Sequence, residues 1–391
     1  MIERILLVSH YMPGSASSNR VFALARGFAA AGRDVKMILC QGAGAPAELD
    51  KIIDAGAFIE NIETVYIPNR GNKISRMKYF IRDIKKCIAQ YYIQNRSVIY
   101  FYLAPEYGLF LKKYHKVMFC EETEIPFNNI IHVYPTFSKR MRVRIIEFLR
   151  KKTIEKSRGL FVISKALKEY YESKSIRNVQ ILNMFVDTTR FSNIKKQNTF
   201  KYIGYCGAVS RYKDGVDCLI KAFKLVLESH TDYKLLIIGP IPKEQDRKEL
   251  TDIVNELGLG EKVVFTGKVS VEEMPQYLTN AEILALARPD TPQAKYGFPT
   301  KLGEYLTTGN PVVVTNVGDM GYFLKDKYNA MIAQPGNHEE FAEKLNWLIE
   351  NPEKAEEIGK KGKELSFNEF SNTTQAKIAI EYMEKILINK S

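Results

Sequence analysis

The chain has 391 residues, 45% hydrophobic and 26% charged, a balance that excludes disorder and implies a globular protein long enough for two domains. No run approaches the roughly 20 uninterrupted apolar residues of a membrane span, and the opening MIERILLVSH reads as a first strand, with no cleavable signal peptide. The net charge of +12 is one-sided: residues 1–190 hold 31 Lys and Arg against 17 Asp and Glu, and the remainder 26 against 28.

RILLVS (Arg4–Ser9) is apolar without alternation, as expected of a strand buried on both faces. A turn of small residues, a helix over Val21–Ala31, a stop at Gly32 and a strand over Asp34–Cys40 complete a βαβ unit. Further strands are expected at Thr64–Ile67, Val98–Leu103, Lys116–Glu121, Gly159–Ile163 and Val179–Leu182. The polar, aperiodic run Thr188–Phe200 reads as a linker. Beyond it the rhythm restarts with strands at Tyr202–Gly207, Tyr233–Gly239, Val263–Gly267, Ile283–Ala287 and Pro311–Thr315, and a helix over Val216–Leu227. The tail Phe370–Leu387 is amphipathic, with Ile378, Tyr382 and Ile386 one turn apart. The expected fold class is α/β, two successive doubly wound Rossmann-like domains over 1–190 and 200–366 with a terminal helix over 367–391. Cys40, Cys87, Cys120, Cys206 and Cys218 stand far apart without a CxxC pair, which argues against a zinc site or a disulfide framework and fits a reducing cytoplasm.

In such sheets ligands bind beyond the carboxyl ends of the strands, and three loops there are suggestive. Ser9–Arg20 carries Gly14 and Ser15, small residues that let backbone N–H groups approach an anion. It is no GxGxxG fingerprint, and a plain βα turn fits it equally. Tyr205–Asp217 carries Gly207, for close backbone approach, with Arg211 and Lys213 where a helix begins. The third loop is KYGFPTKLGEYLTTGNP, ending at Pro311. Gly297 and Pro299 shape a turn after Tyr296 and Phe298, and Thr300 is expected to cap a helix carrying Lys301, Leu302 and Glu304. Lys301 and Glu304 share one helical face and on their own amount to a surface ion pair. The free N–H groups of that helix start suit a diphosphate, and a carboxylate suits a pair of sugar hydroxyls.

Together these loops resemble the family 4 glycosyltransferases of the GT-B fold through nearly the whole chain. The resemblance is carried by VISKAL (Val162–Leu167), by NMFVD followed by Phe191 (Asn183–Asp187), by Gly207 with Lys213, by FTGKVS (Phe265–Ser270), and by Glu304 ahead of Gly309–Val313. It implies two domains facing a cleft, a terminal helix that crosses back onto the first domain, and retention at the anomeric carbon. It also implies a diphosphate held by Lys213, a base read by the backbone of Lys268 and Val269, and a ribose bound by Glu304. Two positions depart from the family pattern. Tyr296 stands where the family usually places the first acid of an E-x7-E pair, so this chain resembles the subset with Pro-x-Lys-x-x-Glu-Tyr. Ala208 stands where an arginine usually follows the loop glycine, with Arg211 as a substitute one turn on.

On the acceptor side, Glu121, Glu122 and Glu124 cluster in FCEETEIP, and mutual repulsion is expected to raise the pKa of one of them. His10 and His132 also fall at loop positions. The basic surplus concentrates in residues 70–86, with Arg70, Lys73, Arg76, Lys78, Arg82, Lys85 and Lys86, and in residues 139–158. In the second stretch Arg140, Arg144 and Lys151 share one helical face and Met141, Ile145 and Phe148 another. That pattern suits an anionic membrane surface, and no nucleic-acid motif accompanies it.

The expected activity is glycosyl transfer from a nucleotide sugar, UDP-linked in preference to GDP-linked, to a lipid-linked or polysaccharide acceptor in cell-surface glycan synthesis. No cofactor or metal is expected, and the expected location is the cytoplasm, peripheral at the inner membrane surface. The alternatives are a sugar-nucleotide 2-epimerase of the same fold and, from another class, a basic nucleic-acid-binding protein.

Overall fold

The computed structural model describes residues 1–12, 15–42, 45, 62–70, 75–103, 105–124, 136–197 and 200–388. Gly14, Lys73 and His132 lie outside these residues. Two separate sheets form, each with every strand pairing parallel to its neighbours. The first comprises β1 (Arg4–Tyr11), β2 (Asp34–Gln41), β3 (Glu63–Ile67), β4 (Ser97–Tyr102), β5 (Met118–Glu122), β6 (Gly159–Val162) and β7 (Val179–Ile181), in the order β3-β2-β1-β4-β5-β6-β7. The second comprises β8 (Lys201–Cys206), β9 (Tyr233–Ile238), β10 (Val263–Gly267), β11 (Ile283–Leu286), β12 (Val312–Thr315) and β13 (Met331–Ala333), in the order β10-β9-β8-β11-β12-β13. Both are doubly wound, and the strand order reverses beside β1 and beside β8.

The unalternating apolar runs have the expected cause. Ile5 and Leu7 point into one layer of the first unit's core with Tyr100, Phe119 and Phe161, while Leu6 and Val8 on the opposite face are as fully buried. The one strand not anticipated, β13, is the short run Met331–Ala333, three residues long.

The chain divides into two compact units, Met1–Phe185 with Asn372–Ser391, and Val186–Ser371. The stretch read as a linker from its polarity therefore belongs with the second unit. The Asp187 carboxylate accepts the Thr189 N–H at 3.2 Å and its hydroxyl at 2.6 Å, and so starts the single 3-10 turn Thr188–Phe191. A turn this short has no periodicity to read.

The terminal helix Asn372–Ile388 packs within the first unit, against the helix Ala16–Ala30. Its buried stripe is Ala376, Ala379, Ile380 and Met383, and the stripe expected from sequence, Ile378, Tyr382 and Ile386, forms its half-buried flank. Small residues face the partner helix because the two backbones approach closely. The Asn372 side-chain amide donates to Ala23 O at 3.0 Å, and a Cβ on Gly27 would lie 2.4 Å from Asn372 O. Among the described residues no helix is long and apolar enough to cross a membrane.

Gly27 therefore yields a sign test. Gly→Ala inside a helix ordinarily adds up to about 1 kcal/mol, but here the methyl group meets a backbone carbonyl. Gly27→Ala is expected to lower the melting temperature and Gly27→Val to lower it further, by about 1–3 kcal/mol of overpacking, as read by thermal denaturation.

Candidate functional site

The second sheet reverses order between β8 and β11, so the loops after these strands mark the binding edge of that unit. Gly207 follows β8 with φ of +144°, a conformation that strains any residue with a side chain. Its N–H donates to Ile238 O at 2.8 Å, and a Cβ here would lie 2.5 Å from the Lys301 ammonium. Ser210 then caps the one-turn helix Arg211–Asp214, which leads through Gly215 into the helix Val216–Val226.

Lys301 sits on the helix Thr300–Thr308, and its Nζ is held 2.8 Å from the Tyr205 hydroxyl and 2.9 Å from Asp214 Oδ2. It also lies 4.4 Å from the centre of the Tyr205 ring, and the Tyr205 hydroxyl donates to Asp214 at 2.8 Å. Burial pulls the Lys301 pKa below the ordinary lysine value, and the buried Asp214 opposes that shift. Deeper in, the Cys206 N–H donates to the Tyr305 hydroxyl at 2.5 Å, which ties β8 to the same helix. Burial pushes the Cys206 thiol up to about 12, so it is an inert core group.

Glu304 and Lys301 are not partners of one another. Glu304 Oε1 accepts from Arg190 Nη1 at 2.6 Å, and Arg190 Nη2 donates to Val271 O at 2.9 Å. Both partners of this ion pair are partly exposed. Arg190 was not anticipated from the sequence, and neither were Tyr205, Asp214 and Tyr305. Their only signals are position: Arg190 precedes Phe191, Asp214 follows Lys213, and Tyr305 ends PTKLGEY.

Other expected residues sit differently from expectation. Arg211 is turned away to Glu249 and Asp217, so the cation beside Gly207 is Lys301 rather than Arg211. Gly297 is extended, with φ of −99°, and Pro299 rather than Thr300 occupies the cap of the helix. Proline has no N–H and no side chain caps that end; the Leu302 N–H donates to Pro299 O at 3.1 Å, so the N–H groups of Thr300 and Lys301 ahead of it are those that suit an anion. Phe298 is buried against Phe323 and Phe370, and Leu302 is wholly buried, so each offers only its backbone. Tyr296 ends the short helix Pro292–Tyr296, which Thr291 caps. Lys213 is exposed, and its carbonyl accepts from Arg288 Nε at 3.3 Å. Lys268 is exposed and Val269 half-buried beyond β10, where Ser270 and Glu273 exchange hydrogen bonds that open the next helix.

In the first unit two of the three clustered carboxylates are consumed by the fold. Glu121 takes both Arg20 Nε and Nη2, at 2.6 and 2.5 Å, and the Tyr100 hydroxyl at 2.7 Å. Arg20 in turn donates to Leu182 O and Asn183 O and covers the Phe185 ring. Glu122 is buried with Arg150, 3.3 Å away, which Glu147 also claims at 3.1 Å. Glu124 alone of the three is exposed. Ser15 spends its hydroxyl capping the helix Ala16–Ala30, at 3.2 Å from Ser18 N. His10 is packed edge-on against Phe80 and Tyr107, and burial lowers its pKa. Among the described residues no three His, Cys, Asp or Glu side chains converge as metal ligands do.

Residues 186–365 match the family described as Glycosyl transferases group 1, a span close to that of the second unit. Over 152 residues the chain is 28% identical to an uncharacterized glycosyltransferase of Methanocaldococcus jannaschii, covering 39% of either protein. Over 170 residues it is 27% identical to the capsular polysaccharide biosynthesis glycosyltransferase CapM of Staphylococcus aureus, covering 44% of this chain and 42% of that one. The matches thus span about two fifths of the length of these curated relatives. The crystal structure of Anabaena HepE in complex with UDP-glucose is 15% identical and aligns with a TM-score of 0.72 over 98% of this chain and 99% of the other. That likeness extends through both units, and the fold, two Rossmann-like parallel sheets in one chain, is that of the GT-B glycosyltransferases.

The Glu122 cluster has a pH signature. Burial, with Glu147, Glu121 and Glu124 nearby, raises its pKa from 4.5 to about 7 against the pull of Arg150. The folded protein therefore holds a proton that the unfolded chain releases at lower pH, and this contribution to stability falls as pH rises from 4.5 to 7. Glu122→Gln is expected to flatten that slope and leave Arg150 paired with Glu147. Melting temperatures of both proteins from pH 5 to pH 8 check this, and parallel curves would assign the proton elsewhere.

Proposed function

We propose that the chain transfers a glycosyl group from a nucleotide sugar, UDP-linked in preference to GDP-linked, to an acceptor hydroxyl, with retention of anomeric configuration. The observation that carries this reading, in the unit matching the group 1 family, is the Lys301 ammonium beside Gly207, on a helix, Thr300–Thr308, that has an uncapped start and carries Glu304 one turn further on.

In this reading the diphosphate lies beside Gly207 and the Lys301 ammonium, which occupies the space a side chain would take. Lys213, Lys301 and the first-turn N–H groups stabilise the charge that develops as the C1–O bond to the diphosphate breaks, without a metal ion. Glu304, kept in orientation by Arg190, accepts from the ribose hydroxyls, and the backbone at Lys268 and Val269 reads the base. The acceptor oxygen bonds to C1, and its proton leaves through a base on the acceptor side, a role for which Glu124 is the exposed carboxylate. Tyr296 stands where a second acid would face the donor sugar. The acceptor is a lipid-linked or polysaccharide precursor of cell-surface glycan, and the enzyme works in the cytoplasm, peripheral at the inner membrane surface. CapM, a relative over 170 residues, is named for capsular polysaccharide biosynthesis and supports that acceptor class.

A thermal-shift panel of nucleotide sugars tests the donor. A ligand at a hundredfold its Kd adds about 2.7 kcal/mol to the native state, so a UDP-sugar is expected to raise the melting temperature, and Glu304→Gln to shrink that rise. Lys213→Ala is expected to cut transfer by about a hundredfold or more while the unliganded melting temperature holds. No response to any nucleotide sugar would overturn the donor site, and near-normal transfer by Lys213→Ala would remove that lysine from it.

A further inference from the structure

The helix Phe137–Lys156 in the first unit faces the wrong way for an ordinary surface helix. Its inward side carries Val143 and Ile154 together with the buried charges Glu147 and Arg150, while its large apolar residues point outward. Phe137 is 77% exposed, Met141 37%, Ile145 55% and Phe148 60%. At roughly 100° per residue these four fall within an arc of about 80°. Arg140, Arg144 and Lys151 lie along one margin of that arc and Lys156 along the other, while Lys152 stands within it, its ammonium 5.8 Å from the Phe148 ring centre. Glu155, the one acid on this face of the helix, is neutralised by Lys152 at 2.9 Å and Lys151 at 3.6 Å. The helix as a whole holds eight basic and two acidic residues, a balance of +6.

We infer that this outward face docks on an anionic lipid bilayer, with Phe137, Met141, Ile145 and Phe148 entering the headgroup boundary and the arginines and lysines meeting lipid phosphates. An apolar stripe between cationic margins matches a surface that is anionic at its face and hydrocarbon below. A polyanion such as nucleic acid would engage the cations and leave four large apolar side chains in water. The inference deepens the proposed function, which places the acceptor at a membrane, because it assigns the surface that meets the lipid.

Flotation of the full chain with acceptor-free vesicles tests it. At low salt the protein is expected to float with vesicles of phosphatidylcholine and phosphatidylglycerol in equal parts, and to stay behind with phosphatidylcholine alone. Phe137→Ser combined with Phe148→Ser is expected to reduce the floating fraction about tenfold, and Arg144→Glu combined with Lys151→Glu to reduce it at least as much. An unchanged melting temperature, and an unchanged response to nucleotide sugars, would show that these surface variants are folded. Wild-type protein that fails to float, or a Phe137/Phe148 variant that floats as wild type does, would overturn the inference. So would a wild-type dimer in light scattering that the same variant converts to monomer, since a second copy would then cover the stripe. These vesicles hold neither donor nor acceptor, so failure here leaves glycosyl transfer to be judged by the nucleotide-sugar panel alone.

Discussion

The carboxyl edge of the second sheet is organised around one largely buried ammonium. Lys301 reaches from the helix Thr300–Thr308 to Tyr205 near the end of β8 and to Asp214 on the following turn, so a single group fixes that helix to a strand and turn whose Tyr205 lies 96 residues before it. An ammonium out of water needs an anion and hydrogen-bond acceptors close by, which explains why Asp214 is buried at its side. The same group explains the glycine. A Cβ at position 207 would have to displace the Lys301 ammonium, and the φ of +144° strains any residue with a side chain there.

Much of this architecture was legible in the sequence because parallel strands buried on both faces leave dense apolar runs. Twelve of the thirteen strands were legible, most of them in that way, although the edge strands β3, β7 and β10 are only partly buried. The loops that carry Gly207, Lys301 and Glu304 could also be located, since function in such sheets gathers at strand ends. What could not be read was which partner each charge takes. Arg211 and Lys301 are both cations near a glycine in the linear chain. Only the fold shows that Arg211 turns to Glu249 and Asp217 while Lys301 turns inward. Arg190 and Glu304 are likewise separated by 114 residues, and no local rule would join them.

The three clustered glutamates teach the same lesson. In sequence they are equivalent, neighbours in one acidic loop. In the fold β5 carries Glu121 and Glu122 to opposite faces of the sheet, as successive strand residues must go. Glu121 meets Arg20 and Tyr100, Glu122 meets Arg150, and only Glu124, past the strand, reaches solvent. Repulsion between close carboxylates was the expected source of a raised pKa. The main source proves to be burial, with two carboxylates sharing one arginine.

The packing of the terminal helix has a consequence for biosynthesis. The second unit is one continuous stretch, Val186–Ser371, and can complete its core as soon as that stretch has left the ribosome. The first unit emerges earlier but lacks Ala376, Ala379, Ile380 and Met383 until the last segment is made. Until then the groove beside Gly27 is bare, and the unit synthesised first is the unit finished last. A nascent chain of this protein therefore carries an unsealed apolar groove throughout the synthesis of the second unit, a period when chaperones have something to hold.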